Sequence, residues 1–252
     1  MEDSKWKTLY QAGGLAPLIA LLFYCSQFIV LAFGDPYPSS AEGWFALAQR
    51  SKLRALWYLN ALDIVSFALL GIMFLALYMA LRRIHPSWML IGLYVALLGA
   101  AVFIVPRVLT LALLPLSDLH AAATSEAQRT TYLIAGETLS QVTTATPQTL
   151  GFLFMASAGL IISIVTLRSW SAGRVSAFGQ ATALERNAAY VGILGFAAAF
   201  ANYVTWLAGS PIAATLMPVN GLLWLVWWLL VSVELFRLAR GAARPDAGSK
   251  VV

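Results

Sequence analysis

The chain has little of what catalytic and metal sites are usually built from. Its 252 residues include one cysteine, Cys25, and two histidines, His85 and His120. A single cysteine excludes an intrachain disulfide and a cysteine-based metal site. The two histidines fall in predicted loops on opposite sides of a membrane, which excludes a bis-histidine haem inside a helical bundle. All four lysines lie outside the long apolar runs, so no lysine is placed for a retinal Schiff base.

Charge is also scarce. Only 11% of the residues are charged and 60% are hydrophobic, whereas about a quarter of an ordinary soluble domain is charged. A soluble chain of this length could not cover so much apolar surface. The composition therefore excludes a soluble enzyme, a disordered chain and a nucleic-acid-binding domain. The net charge of +5 fits basic residues that flank membrane spans.

Six runs are long and apolar enough to cross a bilayer as helices. The predicted spans are about 15–33, 56–81, 89–116, 150–167, 188–207 and 217–238. We therefore expect an all-α polytopic membrane bundle, a single domain over residues 1–239, with a flexible cytoplasmic tail over 240–252. Eleven Lys and Arg residues fall in the segments that are inner if the N-terminus is cytoplasmic, and four fall in the outer ones. This asymmetry predicts that both termini are cytoplasmic.

Both long outer loops carry signals for short interfacial helices. Ser39 and Glu42 have the spacing of a capping box, and an amphipathic stretch with Trp44 and Phe45 follows. In the second loop, Ser125 has the same relation to Gln128. The helix that follows could lie across the outer mouth as a lid or simply rest on the surface.

Two charges lie inside predicted spans at a similar depth. Asp63 is about 10 Å below the outer end of span two, and Arg107 is about 13 Å below the outer end of span three. A lone charge there would cost several kcal/mol, so we expect the two side chains to pair. Pro106 removes one helical hydrogen bond beside the arginine. Near the inner end, Glu234 is expected to pair with Arg237.

Other polar and aromatic residues fall in the same outer third as this pair. The candidates for an outward-facing ligand site are Asn60, Asp63, Arg107, Gln148, Asn202, Asn220 and Trp224. A further set of aromatic residues is expected to form one wall of that site: Tyr203, Trp206, Trp227 and Trp228. A purely structural interpretation stays open, because buried ion pairs and amides also fix helix register and tryptophans anchor helices at membrane interfaces.

The order of these features resembles uncharacterised bacterial six-span membrane families that are classed as domains of unknown function. A capped amphipathic loop separates spans one and two, span two carries Asn60 and Asp63, and a long outer loop separates spans three and four. The resemblance implies a multi-pass protein of the bacterial inner membrane and brings no catalytic residues with it.

Three functions fit the sequence. The first is a bundle without catalytic machinery that binds a lipid, a small hydrophobic ligand or a partner membrane protein through the outward-facing site. The second is a small-solute transporter or channel gated by the Asp63–Arg107 pair, although no internal repeat is visible. The third is a membrane-embedded lipid-modifying enzyme, which would need a further catalytic group near Asp63. No metal ligand set, cofactor motif or nucleic-acid partner is expected.

Overall fold

A computed structural model describes residues 3–34, 36–144, 146–171 and 183–241. The predicted flexible tail lies almost entirely outside the described residues. Helices account for nearly all of the described chain, and it contains no strand, as an all-α bundle requires. In chain order the helices are α1 (Lys7–Phe33), α2 (Ala41–Arg50), α3 (Lys52–Tyr58), α4 (Ala61–Leu81), α5 (Pro86–Thr110), α6 (Leu113–Ala122), α7 (Glu126–Thr144), α8 (Thr146–Ser171), α9 (Ala183–Leu207) and α10 (Ile212–Gly241).

Six helical segments are long and apolar enough to cross a membrane, as the hydropathy pattern predicts. They belong to α1, α4, α5 with α6, α8, α9 and α10. Several predicted spans are shorter than the helices that contain them, because these helices extend further into polar sequence. For example, α1 begins at Lys7 rather than at residue 15, and α9 begins at Ala183 rather than at residue 188. Helices continue into polar sequence because a helix satisfies its own backbone in water as well as in lipid.

One predicted span was instead too long at its outer end. Span two was expected to start at residue 56, but Asn60 adopts φ 54° and separates α3 from α4. Asparagine tolerates this left-handed conformation better than most residues. Span three was expected to reach residue 116, and the membrane-crossing segment over Pro86–Ala122 includes that residue, although a break at Leu111 and Ala112 separates α5 from α6. The chain passes through Pro106 without ending α5.

The six long helices form a closed ring. Helix α1 packs against α4, α4 against α5, α5 against α8, α8 against α9, α9 against α10, and α10 against α1. We use "inner end" for the end of the ring where α1 begins and α10 finishes. The "outer end" is the end that carries the short helices. The predicted cytoplasmic location of both termini would place the inner end in the cytoplasm.

Aromatic side chains fill the middle of the ring. The ring of Phe152 on α8 lies 4.9 Å from that of Phe103 on α5 and 5.0 Å from that of Tyr203 on α9. It also lies 6.0 Å from Trp224 on α10 and 5.9 Å from Phe67 on α4. Side chains from opposite helices therefore meet at Phe152. The interior of the ring is a packed core at this level and not an open channel.

Side-chain caps begin α2, α3 and α7 among the short outer helices. The predicted cap Ser39 was wrong by one residue, because the hydroxyl of Ser40 accepts the backbone N–H of Gly43 and α2 starts at Ala41. The carboxylate of Glu137 on α7 accepts the N–H of Ala41 and so caps the same helix end. The second predicted cap is confirmed, since Ser125 accepts the N–H of Gln128.

The first of these outer helices, α2, packs its apolar face on protein. Trp44 and Phe45 on α2 are each 3% exposed and belong to a second apolar cluster with Leu113 of α6. Polar contacts join the same two helices, because the Gln49 amide donates to the hydroxyl of Ser117, which is fully buried. The apolar face of α2 was predicted correctly, but it packs against α6 and not on the membrane interface as expected.

The close packing of α5 on α8 gives a stability prediction. A Cβ on Gly99 would lie 2.9 Å from the backbone oxygen of Gly151, whereas a Cβ on Gly221 meets no atom within 4 Å. Overpacking typically lowers the free energy of unfolding by about 1–3 kcal/mol. Where there is space, alanine in place of glycine stabilises a helix by up to about 1 kcal/mol. We expect Gly99→Ala to lower the thermal midpoint measured by circular dichroism in detergent. The matched control Gly221→Ala should keep or raise it, and equal midpoints would contradict the packing.

Candidate functional site

Asp63 and Arg107 form an ion pair inside the outer half of the ring. The Nη2 atom of Arg107 lies 3.5 Å from Oδ2 of Asp63, and each side chain is 7% exposed. The guanidinium also lies over the ring of Phe103, with Cζ 5.2 Å from its centroid. The pairing expected from equal depth on α4 and α5 is confirmed. The role of the pair in binding a ligand stays a prediction.

Helix α1 contributes polar groups to the same region. Gln27 is 7% exposed and lies beside the Asp63 carboxyl. Its Nε2 atom and the Oδ1 atom of Asp63 are both buried and have no hydrogen-bond partner among the described residues. One helical turn earlier, the Tyr24 hydroxyl lies within electrostatic range of Asp63, Arg107 and Tyr203. Tyr24 therefore connects the ion pair to the opposite side of the ring.

On that opposite side, α9 and α10 also bury polar atoms that lack partners. Asn202 is 4% exposed and Asn220 is 5% exposed, so neither faces the outside of the ring. The Oδ1 atom of Asn202, the Nδ2 atom of Asn220 and the Nε1 atom of Trp224 have no hydrogen-bond partner among the described residues. Buried polar groups in native proteins are usually satisfied by protein, water or a ligand. These three atoms are therefore available for hydrogen bonds inside the outer half of the ring.

Other members of the predicted site lie elsewhere. Asn60 is half-buried in the break before α4, where its carbonyl accepts the N–H of Asp63 and its side chain makes no capping bond. The prediction that Asn60 and Asp63 share one face of the same helix was wrong, because Asn60 precedes α4. The side chain of Gln148 lies outside the described residues. Trp206 was expected in the aromatic wall but is 46% exposed, whereas Trp227 and Trp228 are buried in the core.

A groove lies at the outer end of the bundle, between the end of α1 and α3. It has a volume of about 570 Å³, which falls within the usual range for sites that hold a small molecule. Its apolar lining includes Ile29, Phe33 and Leu53, which are 59%, 87% and 67% exposed. Arg54 adds a positive charge to this wall, which Tyr58 also lines. This combination suits a molecule with a hydrocarbon part and a polar or anionic part.

Two tyrosines connect the groove with the ion pair. Tyr58 lines the groove, and its ring lies 6.3 Å from that of Tyr37. Partial burial raises the pKa of the Tyr37 hydroxyl, while the nearby Arg107 lowers it and Asp63 raises it by smaller amounts. The Tyr37 hydroxyl therefore interacts electrostatically with both charges of the ion pair. A polar group that entered the groove beside Tyr58 would approach Asp63 and Arg107 through Tyr37.

The sequence reasoning missed the groove and the role of α1 in the polar region. Tyr24 and Gln27 are three residues apart, and this spacing on an apolar helix places them on one face. That spacing was the available signal. Tyr37 follows the end of α1 in a loop, and no sequence pattern predicts where such a loop folds back. Within the described residues, no group of three or more His, Cys, Asp or Glu side chains is placed to hold a metal ion.

Comparison with protein-family models, curated proteins and solved structures finds no match to this chain.

The ion pair gives a prediction that separates pairing from simple burial of charge. Removing one member of a buried pair typically costs about 3–5 kcal/mol, because the other charge stays buried without compensation. We expect Arg107→Gln or Asp63→Asn alone to lower the thermal midpoint more than the combined double variant does. Thermal unfolding of all four proteins in one detergent completes the cycle. Strictly additive effects would contradict the pairing.

Proposed function

We propose that this multi-pass membrane protein binds an amphipathic, lipid-like ligand at its outer end. The groove between α1 and α3 carries this proposal, because its exposed apolar lining surrounds the positive charge of Arg54. The hydrocarbon part of the ligand packs on Ile29, Phe33 and Leu53. The polar or anionic head group binds Arg54 and reaches toward Arg107 past Tyr58 and Tyr37.

The contents of the ring support binding and not chemistry at this site. Beside Asp63 the described residues place an arginine, an amide and a phenol. These groups recognise a head group through charge and hydrogen bonds, and none of them is arranged as a nucleophile with a base. The buried Gln27 amide and Asp63 carboxyl interact with each other and supply one donor and one acceptor near the place where the head group would arrive.

The packed centre of the ring supports a site that opens in one direction. Phe152 and its aromatic neighbours close the interior below the polar region. A ligand therefore enters the groove either from the outer end of the ring or from the lipid around α1 and α3. The predicted orientation and the resemblance to bacterial inner-membrane families would place this entrance in the outer leaflet of that membrane.

Native mass spectrometry in mild detergent tests the proposal with phosphatidylglycerol as an anionic probe and phosphatidylcholine as a zwitterionic one. A charge-assisted bond is worth about 1.4 kcal/mol or more, which is a factor of about ten in affinity. We expect Arg54→Gln to weaken phosphatidylglycerol binding about tenfold and to narrow the preference over phosphatidylcholine. Arg107→Gln should weaken binding further if it folds.

The matched control for this experiment is Arg129→Gln, which removes an exposed arginine on α7, away from the groove. It should bind both lipids as the wild type does. If Arg54→Gln and Arg129→Gln weakened phosphatidylglycerol binding equally, binding would depend only on the net charge of the protein. The proposed site would then be wrong.

A further inference from the structure

A second groove lies on the surface of the ring at its inner end, between α1 and α10. It has a volume of about 390 Å³, which falls within the usual range for sites that hold a small molecule. We call it the inner groove. The residues that define its two sides are Thr8, Gln11, Ala12, Leu15, Phe236 and Arg240.

Small residues on both helices give the inner groove its shape. Ala12 on α1 and Ala239 on α10 line it, and their short side chains leave room between the larger residues around them. Gly14 lets the aromatic wall come close to α1, because a Cβ at this position would lie 3.2 Å from three carbons of the Phe236 ring. The inner groove is therefore built into the sequence of the two helices.

The polarity of the inner groove changes along the helix axes. On α1, Thr8 lies about 10 Å closer to the inner end than Leu15 does. On α10, Arg240 lies about 6 Å closer to that end than Phe236 does. A phospholipid in the adjoining leaflet has the same order, because its chains point to the bilayer centre and its head group lies at the surface. The inner groove thus matches a lipid along the bilayer normal.

The polar end of the inner groove carries a positive charge. Arg237 lies 3.2 Å from Glu234, which confirms the ion pair predicted from the sequence. Arg240, one turn later, is exposed and has no ion pair or hydrogen bond with another described side chain. None of the described residues that line the inner groove is acidic. Because a guanidinium binds phosphate oxygens through paired N–H groups, Arg240 favours an anionic head group.

We infer that the inner groove binds one anionic phospholipid from the leaflet at the inner end of the ring. An acyl chain packs on Leu15 and Phe236 and crosses the short side chain of Ala12. The phosphate accepts hydrogen bonds from Arg240, beside the exposed amide of Gln11. The inference does not depend on the lipid-like ligand proposed above, because the groove between α1 and α3 lies at the opposite end of the ring.

Native mass spectrometry with phosphatidylglycerol tests the inner groove in the Arg54→Gln background, where the charge of the outer groove is absent. We expect this protein to bind phosphatidylglycerol more tightly than phosphatidylcholine. Adding Arg240→Gln should weaken phosphatidylglycerol binding about tenfold, because one charge-assisted contact is lost. Adding Ala12→Trp, which fills the inner groove and keeps the charge, should weaken the binding of both lipids. These expectations hold even if Arg54→Gln alone has no effect.

The matched control is Arg168→Gln in the same background. Arg168 is an exposed arginine in the last turn of α8 and does not line the inner groove. Since Ala12, Arg168 and Arg240 are all exposed, none of these changes removes a buried contact. Equal losses in Arg240→Gln and Arg168→Gln would overturn the inference, because binding would then follow net charge. Unchanged binding in Ala12→Trp would also overturn it, because the lipid would then lie outside the inner groove.

Discussion

The buried charges of Asp63 and Arg107 impose the strongest constraint on this bundle. Neither side chain reaches solvent, so each must find its counter-charge on a neighbouring helix. The pair sets the register of α4 against α5 on the outer side of the core. The stacked rings of Phe67 and Phe103, with centroids 3.9 Å apart, hold the same two helices together one turn further in. Polar pairing and aromatic packing thus act on one interface.

The outer helices place the groove next to this interface. The break at Asn60 turns the chain between α3 and α4, so that Tyr58 lies beside the groove while Asp63 enters the ring. On the other side of the outer layer, Lys52 at the start of α3 lies 2.6 Å from Asp118 of α6. Both residues are about half exposed, so this contact contributes little to stability. Burial of Trp44 and Phe45 is the larger contribution.

The sequence predicted the architecture because membrane spans depend on composition and length alone. It also predicted the Asp63–Arg107 pair, since two charges at one depth on consecutive antiparallel helices have few other partners. It did not predict the contribution of Tyr24, because its spacing from Gln27 marks one face of α1 but does not say which helices that face meets. Nor did it predict the burial of Glu185, because a charged residue next to Arg186 is typical of a loop. Both outcomes depend on how the ring closes, which local sequence does not encode.

The ends of the ring now differ in chemistry. The outer end combines an open groove with an ion pair and unpartnered amides, whereas the inner end has a second groove with Arg240 at its polar end. A high-resolution cryo-electron-microscopy map of the protein in a lipid nanodisc would show directly whether the groove between α1 and α3 holds a lipid-like ligand. We expect elongated density in the groove, with its polar end near Arg54 and Tyr37. Continuous bulk-like lipid density along α1 and α3, with no ordered molecule in the groove, would contradict it.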